Sequence, residues 1–491
     1  MTPRLSLATW RSAAGRSGVT VPAVDPADLG TGIVHLGLGA FHRAHQAVLT
    51  EDAVTATGDT RWGILGVTQR SARVADQLAP QDGLYGVLTK GATETSLRVV
   101  GTMRGVAFPG AETSQVLATI AAPTTHVITL TVTEKGYRRA AGGGPDLADP
   151  DLAADLAALG SGSDTAARSP IGMLVRGLAR RHRADAGPLT VVCCDNLSDN
   201  GAVLASLVDA VLAATPGSDA LRAWVAESVR FPSTMVDRIV PATAPAHRAE
   251  AEALLGLVDE GLVVGEPFSQ WVVEDSFAGP RPAWEAAGAL LTADVAPYER
   301  AKLRVLNASH STLAYLGALR GYATIAQAVA DPDLEAAVRA LVDDDVLPTL
   351  AAPEGMDLAR YRDDVLDRFA NPNTGHTTVQ VAMDGSQKLP QRLLGTVRDR
   401  LAAGAVPVAA AGTIAGWIAY VRAASLGELV VDGHAVPLDD PLAPVLAESA
   451  RGPEDGLAER MLAVRPVFGD LAGSAELVGA VRSALGGRVR L

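Results

Sequence analysis

Apolar positions follow two regimes along the chain. In the first, short apolar runs rich in β-branched residues, at 32–36 (GIVHL), 62–67 (WGILGV), 126–133 (HVITLTVT) and 189–194 (LTVVCC), read as strands buried on both faces. Stretches of helical periodicity such as 171–183 and 202–214 lie between them. This alternation predicts an α/β fold, with a Rossmann-type doubly wound sheet over residues 1–286. From residue 287 strand signals almost vanish, and amphipathic runs at 298–319, 333–342, 358–369, 390–402, 414–424 and 475–485 predict a mainly α-helical domain over 287–491. Two segments break the pattern. Residues 383–392 (MDGSQKLPQR) read as a polar interruption with a turn at Gly385 and Pro390, and 231–241 (FPSTMVDRIVP), bracketed by prolines, reads as a loop carrying Asp237 and Arg238.

Polar residues are out of place in one helical run. In 299–310 (ERAKLRVLNASH), an α-helical step of about 100° per residue sets His310 near 80° and Asn307 near 140° from Lys302, an arc shared with Leu306 and Leu313. An ammonium, a carboxamide and an imidazole on an apolar arc are costly unless each has a partner or a task. A lysine of lowered pKa serves as a general acid or base, and an amide N–H holds a developing alkoxide. A solvated helix face with one core histidine is the competing reading.

The strand ends carry the other candidates. The first run leads into Gly37, Leu38, Gly39, Ala40 and Phe41 and then a helical pattern, the strand, glycine turn and helix that a dinucleotide pyrophosphate requires. His42 stands where the usual third glycine would be, so a plain strand-to-helix turn remains open. The second run ends in Thr68, Gln69 and Arg70, without the carboxylate that would meet a ribose, and Arg70 is either a 2′-phosphate partner or solvated surface. The third and fourth runs lead into Glu134 and Lys135 and into Asp195 and Asn196, at strand ends that face the ligand crevice of an open parallel sheet. Capping of the helix near Asn200 is the alternative for Asp195 and Asn196, and an ion pair the alternative for Asp237 and Arg238.

Composition narrows the picture. A length of 491 residues exceeds a single ordinary core, and 48% apolar with 20% charged residues is globular. A net charge of −13, without a basic cluster, argues against nucleic acid and anionic membrane surfaces. The adjacent Cys193 and Cys194 fit neither a disulfide framework nor a zinc site of the usual spacing, and a reducing cytoplasm fits. Arginines at positions 4, 11 and 16 break any signal-peptide core. The uncharged stretch 401–421 is rich in Ala and Gly and contains Pro407, which reads as a tightly packed helix after a turn rather than a membrane span.

Six motifs in order make the sequence resemble the polyol-specific long-chain dehydrogenase family. They are GLGAFHRAHQ at 37–46, TVTEKGY at 131–137, CDN at 194–196, FPSTMVDRIVPAT at 231–243, EPFSQWVVEDSF at 266–277 and KLRVLNASHS at 302–311. The resemblance implies a metal-independent, NAD(P)-linked oxidation of a secondary alcohol on a small sugar acid or polyol, with NAD(H) preferred; a monomer or small homo-oligomer is expected. It assigns Lys302 as general acid/base, Asn196 and Asn307 as donors to the reacting oxygen, and His310 as an aid at the substrate. Glu134, Glu299 and Asp237 flank that site, and Gly37, Gly39, Ala40, Phe41, Thr68, Arg70 and Asn196 are the cofactor candidates. The forms TEKGY and QVAMDGSQKLPQR look like the sugar-acid branch, with Lys135, Gln380, Lys388 and Arg392 as further substrate contacts; a neutral polyol is the alternative. In the bland reading, Lys388 and Arg392 are a surface pair and Lys135 neutralises Glu134.

Overall fold

The computed structural model describes residues 2–132, 134–140 and 143–487, and the side chains of Glu134 and Lys135 fall outside it. It forms two compact units, Met1–Ala296 and Pro297–Leu491.

The first unit is built on six parallel strands: β1 Thr31–Leu36, β2 Gly63–Val67, β3 Met103–Ala107, β4 Val127–Leu130, β5 Leu189–Cys193 and β6 Val229–Arg230. They are ordered β3-β2-β1-β4-β5-β6, so the winding reverses between β1 and β4. That reversal is the switch point outside which an open α/β sheet binds its ligand. Register aligns the strand ends: Leu36 lies opposite Val67 and Leu130, and Leu130 opposite Cys193. Gly37, Thr68 and the segment after Cys193 therefore leave the sheet along one edge. Helices α1 (Ala40–Ala44), α2 (Pro109–Ile120), α3 (Pro150–Ser161), α4 (Pro170–Arg183) and α5 (Asn200–Ala213) belong to the same unit.

Two smaller sheets complete the unit, and periodicity did not reveal them. One orders Val19–Thr20, Thr95–Val100, Tyr85–Lys90 and Val263–Gly265; the other orders Thr234–Asp237, Gln270–Glu274 and Leu290–Thr292. Segment 231–241 is thus not only a loop, since Thr234–Asp237 pairs antiparallel with Gln270–Glu274. The ion pair held open as the alternative for Asp237 and Arg238 is not what engages Arg238, whose guanidinium donates to the backbone carbonyls of Glu266 and Ala44.

The missing third glycine has a physical substitute. That glycine normally permits close helix–strand packing, and here His42 on α1 lies flat against His35 of β1, ring centroids 3.4 Å apart and planes 12° from parallel. His35 is held by Thr129 Oγ1 at 2.8 Å and Thr131 Oγ1 at 2.9 Å. Burial presses its pKa down to about 3, and His42 is pushed well below its usual value by burial and then by His35. Both rings are therefore neutral, so the stack carries no charge repulsion. Between the unfolded value of about 6.5 and the folded value of about 3 the unfolded chain takes up a proton that folded His35 refuses, so stability falls as pH drops through that window, by about 1.4 kcal/mol per unit. Calorimetric unfolding temperatures recorded from pH 7 to pH 5 are expected to fall, and less steeply in His35→Asn; parallel slopes would remove His35 from the acid response.

The second unit is helical around Val408–Leu426, α9, which is buried along most of its length and packs against α6 (Ala308–Leu319) and α10 (Ala475–Gly487). Pro407 is its N-cap, and no described helix is long and apolar enough to cross a membrane. The interruption expected at 383–392 is instead helix α8, Gly385–Arg392, which follows α7, Leu358–Phe369. Gly385 serves close packing rather than a turn, because a Cβ there would meet Trp417 Nε1 at 2.4 Å. Asp384 enters the helix in the left-handed region, φ 56°, and Asp440 takes the backbone N–H of Ser386 at 2.8 Å.

Candidate functional site

In the first unit the ends of β1 and β2, together with Pro109 and the start of α4, line an open crevice. Gly37 begins its floor at φ +98°, where a Cβ would meet the Thr131 carbonyl oxygen at 2.3 Å, so only glycine fits. Gly39 is different: a Cβ there would meet nothing nearer than the Gly37 carbonyl oxygen at 3.7 Å. Its missing side chain leaves open space above the turn, which suits close approach of a pyrophosphate. Ala40 and Phe41 follow half-buried, and the Phe41 ring stacks on His45 at 5.0 Å. Gln69 lines the crevice with its amide Nε2 buried and without a partner among the described residues. The residues present thus fit a dinucleotide.

The two candidates at the end of β2 divide. Thr68 lines the crevice, but its hydroxyl donates to the Ala107 carbonyl at 3.4 Å. Arg70 is exposed and does not line it, whereas Arg168 at the start of α4 does. Sequence reasoning missed Arg168 because that wall comes from a segment about a hundred residues further along.

At the far end of the same edge, Asp195 is the hub of a buried clasp. It accepts the Tyr137 hydroxyl and the Cys193 thiol, the latter at 2.9 Å, and Tyr137 and Cys193 touch at 3.0 Å. Burial raises the Asp195 pKa, and the two donors oppose that rise. Asp195 also takes the Leu197 N–H at 3.1 Å, and the N-cap position of α5 is held by Asp199, so Asp195 does not cap that helix. The clasp ties the turn Glu134–Tyr137 to the residue before Asn196. Asn196 itself is exposed, and Asp237 is buried on its strand.

In the second unit the helical run 298–319 is not continuously α-helical. Ala296–Ala301 is α, Lys302–Asn307 is a π-helix, and α6 follows. This corrects the arc computed for an unbroken α-helix. With i→i+5 bonding Asn307 stands one hydrogen-bonded turn after Lys302, and His310 follows Asn307 at the α-helical i,i+3 spacing. π-segments inside α-helices cost stability and concentrate at functional sites.

Around this segment lies a cationic cluster. The Arg392 guanidinium donates to Ser311 Oγ at 3.0 Å and reaches the Asn307 carbonyl at 3.5 Å, and among the described residues no carboxylate pairs with it. Lys388 donates to the Val381 carbonyl at 3.1 Å; burial, then Arg392, brings its pKa down to about 8. The two cations are thus neighbours, as expected, but they are not a surface pair. The His310 ring stacks on Phe369 at 4.8 Å and His376 at 5.3 Å, and its Nε2 is buried without a partner. Burial first, then His376, Arg392, Lys388 and Arg368, push its pKa well below the usual value, so the imidazole is neutral. Arg368, Phe369 and His376 were not singled out from the sequence; the polar run 368–376 ending a helix was their only signal. The Asn307 carboxamide makes no hydrogen bond among the described residues. Lys302 and Glu299 are half-buried, and Gln380 is exposed. Among the described residues no cluster of three or more His, Cys, Asp and Glu is placed to hold a metal ion.

Residues 31–286 match the model of the mannitol dehydrogenase Rossmann domain, and 294–487 that of the mannitol dehydrogenase C-terminal domain. The chain is 42% identical to the D-mannonate oxidoreductase of Escherichia coli (strain K12), over 95% of each chain. Among solved structures it is similar to the mannitol 2-dehydrogenase of Pseudomonas fluorescens in ternary complex with NAD and D-mannitol, at 34% identity and a TM-score of 0.84 over 98% of this chain and 96% of that one. It is also similar to a D-sorbitol dehydrogenase in substrate-free form, at 31% identity and a TM-score of 0.87 over 97% of each.

Proposed function

The chain belongs to the mannitol dehydrogenase family, as an NAD-dependent oxidoreductase, and from that premise we propose that its substrate is an open-chain sugar acid, with D-fructuronate and D-mannonate as the interconverted pair. The bound nicotinamide supplies the acceptor or donor of hydride. Lys302 is assigned the proton: as the neutral amine it takes the hydroxyl proton during oxidation, and as ammonium it returns that proton during reduction. The amides of Asn307 and Asn196 are assigned to the charge that develops on the substrate oxygen. Neutral His310, with Nε2 buried and unpartnered, is suited to a substrate hydroxyl. Glu134, Lys135, Asp237, Glu299 and Gln380 are assigned to the remaining substrate groups.

The observation that carries the sugar-acid reading is the cation set around His310. Arg368, Lys388 and Arg392 all act on that ring, and half-buried Arg392 meets no carboxylate among the described residues. An unpaired buried charge costs several kcal/mol, a cost that a substrate carboxylate offsets and a neutral polyol does not. The polyol reading rests on the likeness to a protein solved with D-mannitol.

Lys388 separates the two readings, because among the described residues its head group bonds only one backbone carbonyl. Lys388→Met is expected to lower kcat/KM for fructuronate about 10- to 150-fold, the worth of one charge-assisted hydrogen bond, and to leave fructose nearly unchanged. Since Lys388 loses its charge as pH rises through about 8, KM for fructuronate is expected to climb above that pH in the wild type and to stay flat in the variant. A wild-type kcat/KM for fructose or mannitol above that for fructuronate or mannonate would reject the sugar acid.

A further inference from the structure

We propose that the crevice in the first unit also accepts a 2′-phosphorylated ribose, so that NADP(H) binds alongside NAD(H), with Gln69 and Arg168 as the side chains that set this tolerance. The inference rests on the dehydrogenase reading above and concerns which cofactor that reading admits.

A Rossmann site that excludes NADP does so with a carboxylate at the end of the second strand, which accepts a hydrogen bond from the ribose hydroxyl and repels a phosphate in its place. Here β2 runs out into Thr68, Gln69 and Arg70, and no acidic side chain lines the crevice. The Thr68 hydroxyl is committed to the Ala107 carbonyl. That leaves Gln69, whose buried Nε2 has no partner among the described residues. An amide N–H donates as well to a phosphate oxygen as to a ribose oxygen, whereas a carboxylate only accepts. The substitution of amide for acid thus removes the repulsion without removing the hydrogen bond.

Arg168 adds attraction. It lines the crevice, is exposed, and makes no side-chain ion pair or hydrogen bond among the described residues. The acids near that wall are already engaged. Asp155 is buried, takes the backbone N–H groups of Arg168 and Ser169 and the Ser169 hydroxyl, and pairs with Arg176 at 3.1 Å. Glu112 accepts the Phe108 N–H at 2.7 Å. The Arg168 guanidinium is therefore the unspent cation on the crevice wall, and its planar fork matches phosphate geometry. Arg70, exposed and equally unpaired, follows Gln69 in the chain and adds to the local positive field.

The test is direct binding in the absence of substrate, by calorimetric titration of the full chain with NADH, NADPH and 2′,5′-ADP. The expected result is an NADPH Kd within about thirtyfold of that for NADH, with Arg168→Gln weakening NADPH and 2′,5′-ADP by about tenfold and NADH by less than about twofold. Gln69→Asp is expected to weaken NADPH by about tenfold or more while NADH binding persists. An NADPH Kd beyond that range overturns the proposal, as does an Arg168→Gln loss shared equally by both cofactors. The failure of the parent reading looks different: there neither NADH nor NADPH binds.

Discussion

Replacing Lys302 by Met is expected to lower kcat by about 10²- to 10⁴-fold, the usual worth of a positioned general acid or base. Methionine keeps the length and most of the apolar stem while deleting the amine to which the proton is assigned. Lys302 opens the π-segment Lys302–Asn307, whereas the dinucleotide crevice is formed entirely by residues of the first unit. The Kd for NADH is therefore expected to stay within about twofold, which separates a lost proton carrier from a misfolded chain. Lys302→Ala should regain part of its turnover with added small alkylamines, since the vacated volume accepts a surrogate base. A Lys302→Met enzyme with turnover near that of the wild type at neutral pH would take lysine out of the mechanism.

The sheet was legible because strands buried on both faces leave continuous apolar runs that no helix of that length would need. GIVHL, HVITLTVT and LTVVCC all became central strands, in register at the edge where their polar followers begin. The edge sheets were less legible. Thr234–Asp237 lies between prolines that read as loop, although antiparallel pairing with Gln270–Glu274 satisfies its backbone. Gly385 and Pro390 read as punctuation, but this glycine answers to Trp417, some thirty residues away. Local spacing cannot carry such a contact.

The site shows the same division. Lys302, Asn307 and His310 stood out as candidates because polar residues on an apolar arc demand an explanation, yet the arc itself was drawn for an α-helix. Nothing in side-chain order encodes the change to i→i+5 bonding, in a segment that also makes tertiary contacts such as those of Arg304 to Thr349 and Asp399. The incomplete glycine fingerprint was legible as a departure, but its repair was not, because two flat neutral imidazoles stacked at 3.4 Å are a tertiary fact. Arg368, His376 and Arg168 were missed for the same reason: each reaches its site from an element whose own periodicity is unremarkable.

Asn307→Ala is expected to cost about 10²- to 10³-fold in kcat, the range for deleting one preorganised donor to a developing oxyanion. The physical basis is the division of labour within the residue. Its backbone carbonyl is engaged by Arg392, while its carboxamide makes no hydrogen bond among the described residues and so remains available to a substrate oxygen. Asn307→Asp tests the sign of the interaction at nearly constant shape. A carboxylate accepts but does not donate, so it opposes charge growing on the oxygen, and turnover should fall at least as far as in Asn307→Ala. Asn196→Ala is expected to lose about 10²-fold as well. If both amides serve one oxygen, the double variant will lose less than the product of the two single losses, because groups that act as a unit are not additive. Retention of more than about a tenth of wild-type kcat by Asn307→Ala, with an unchanged unfolding temperature, would mean that this carboxamide donates nothing to the reacting oxygen.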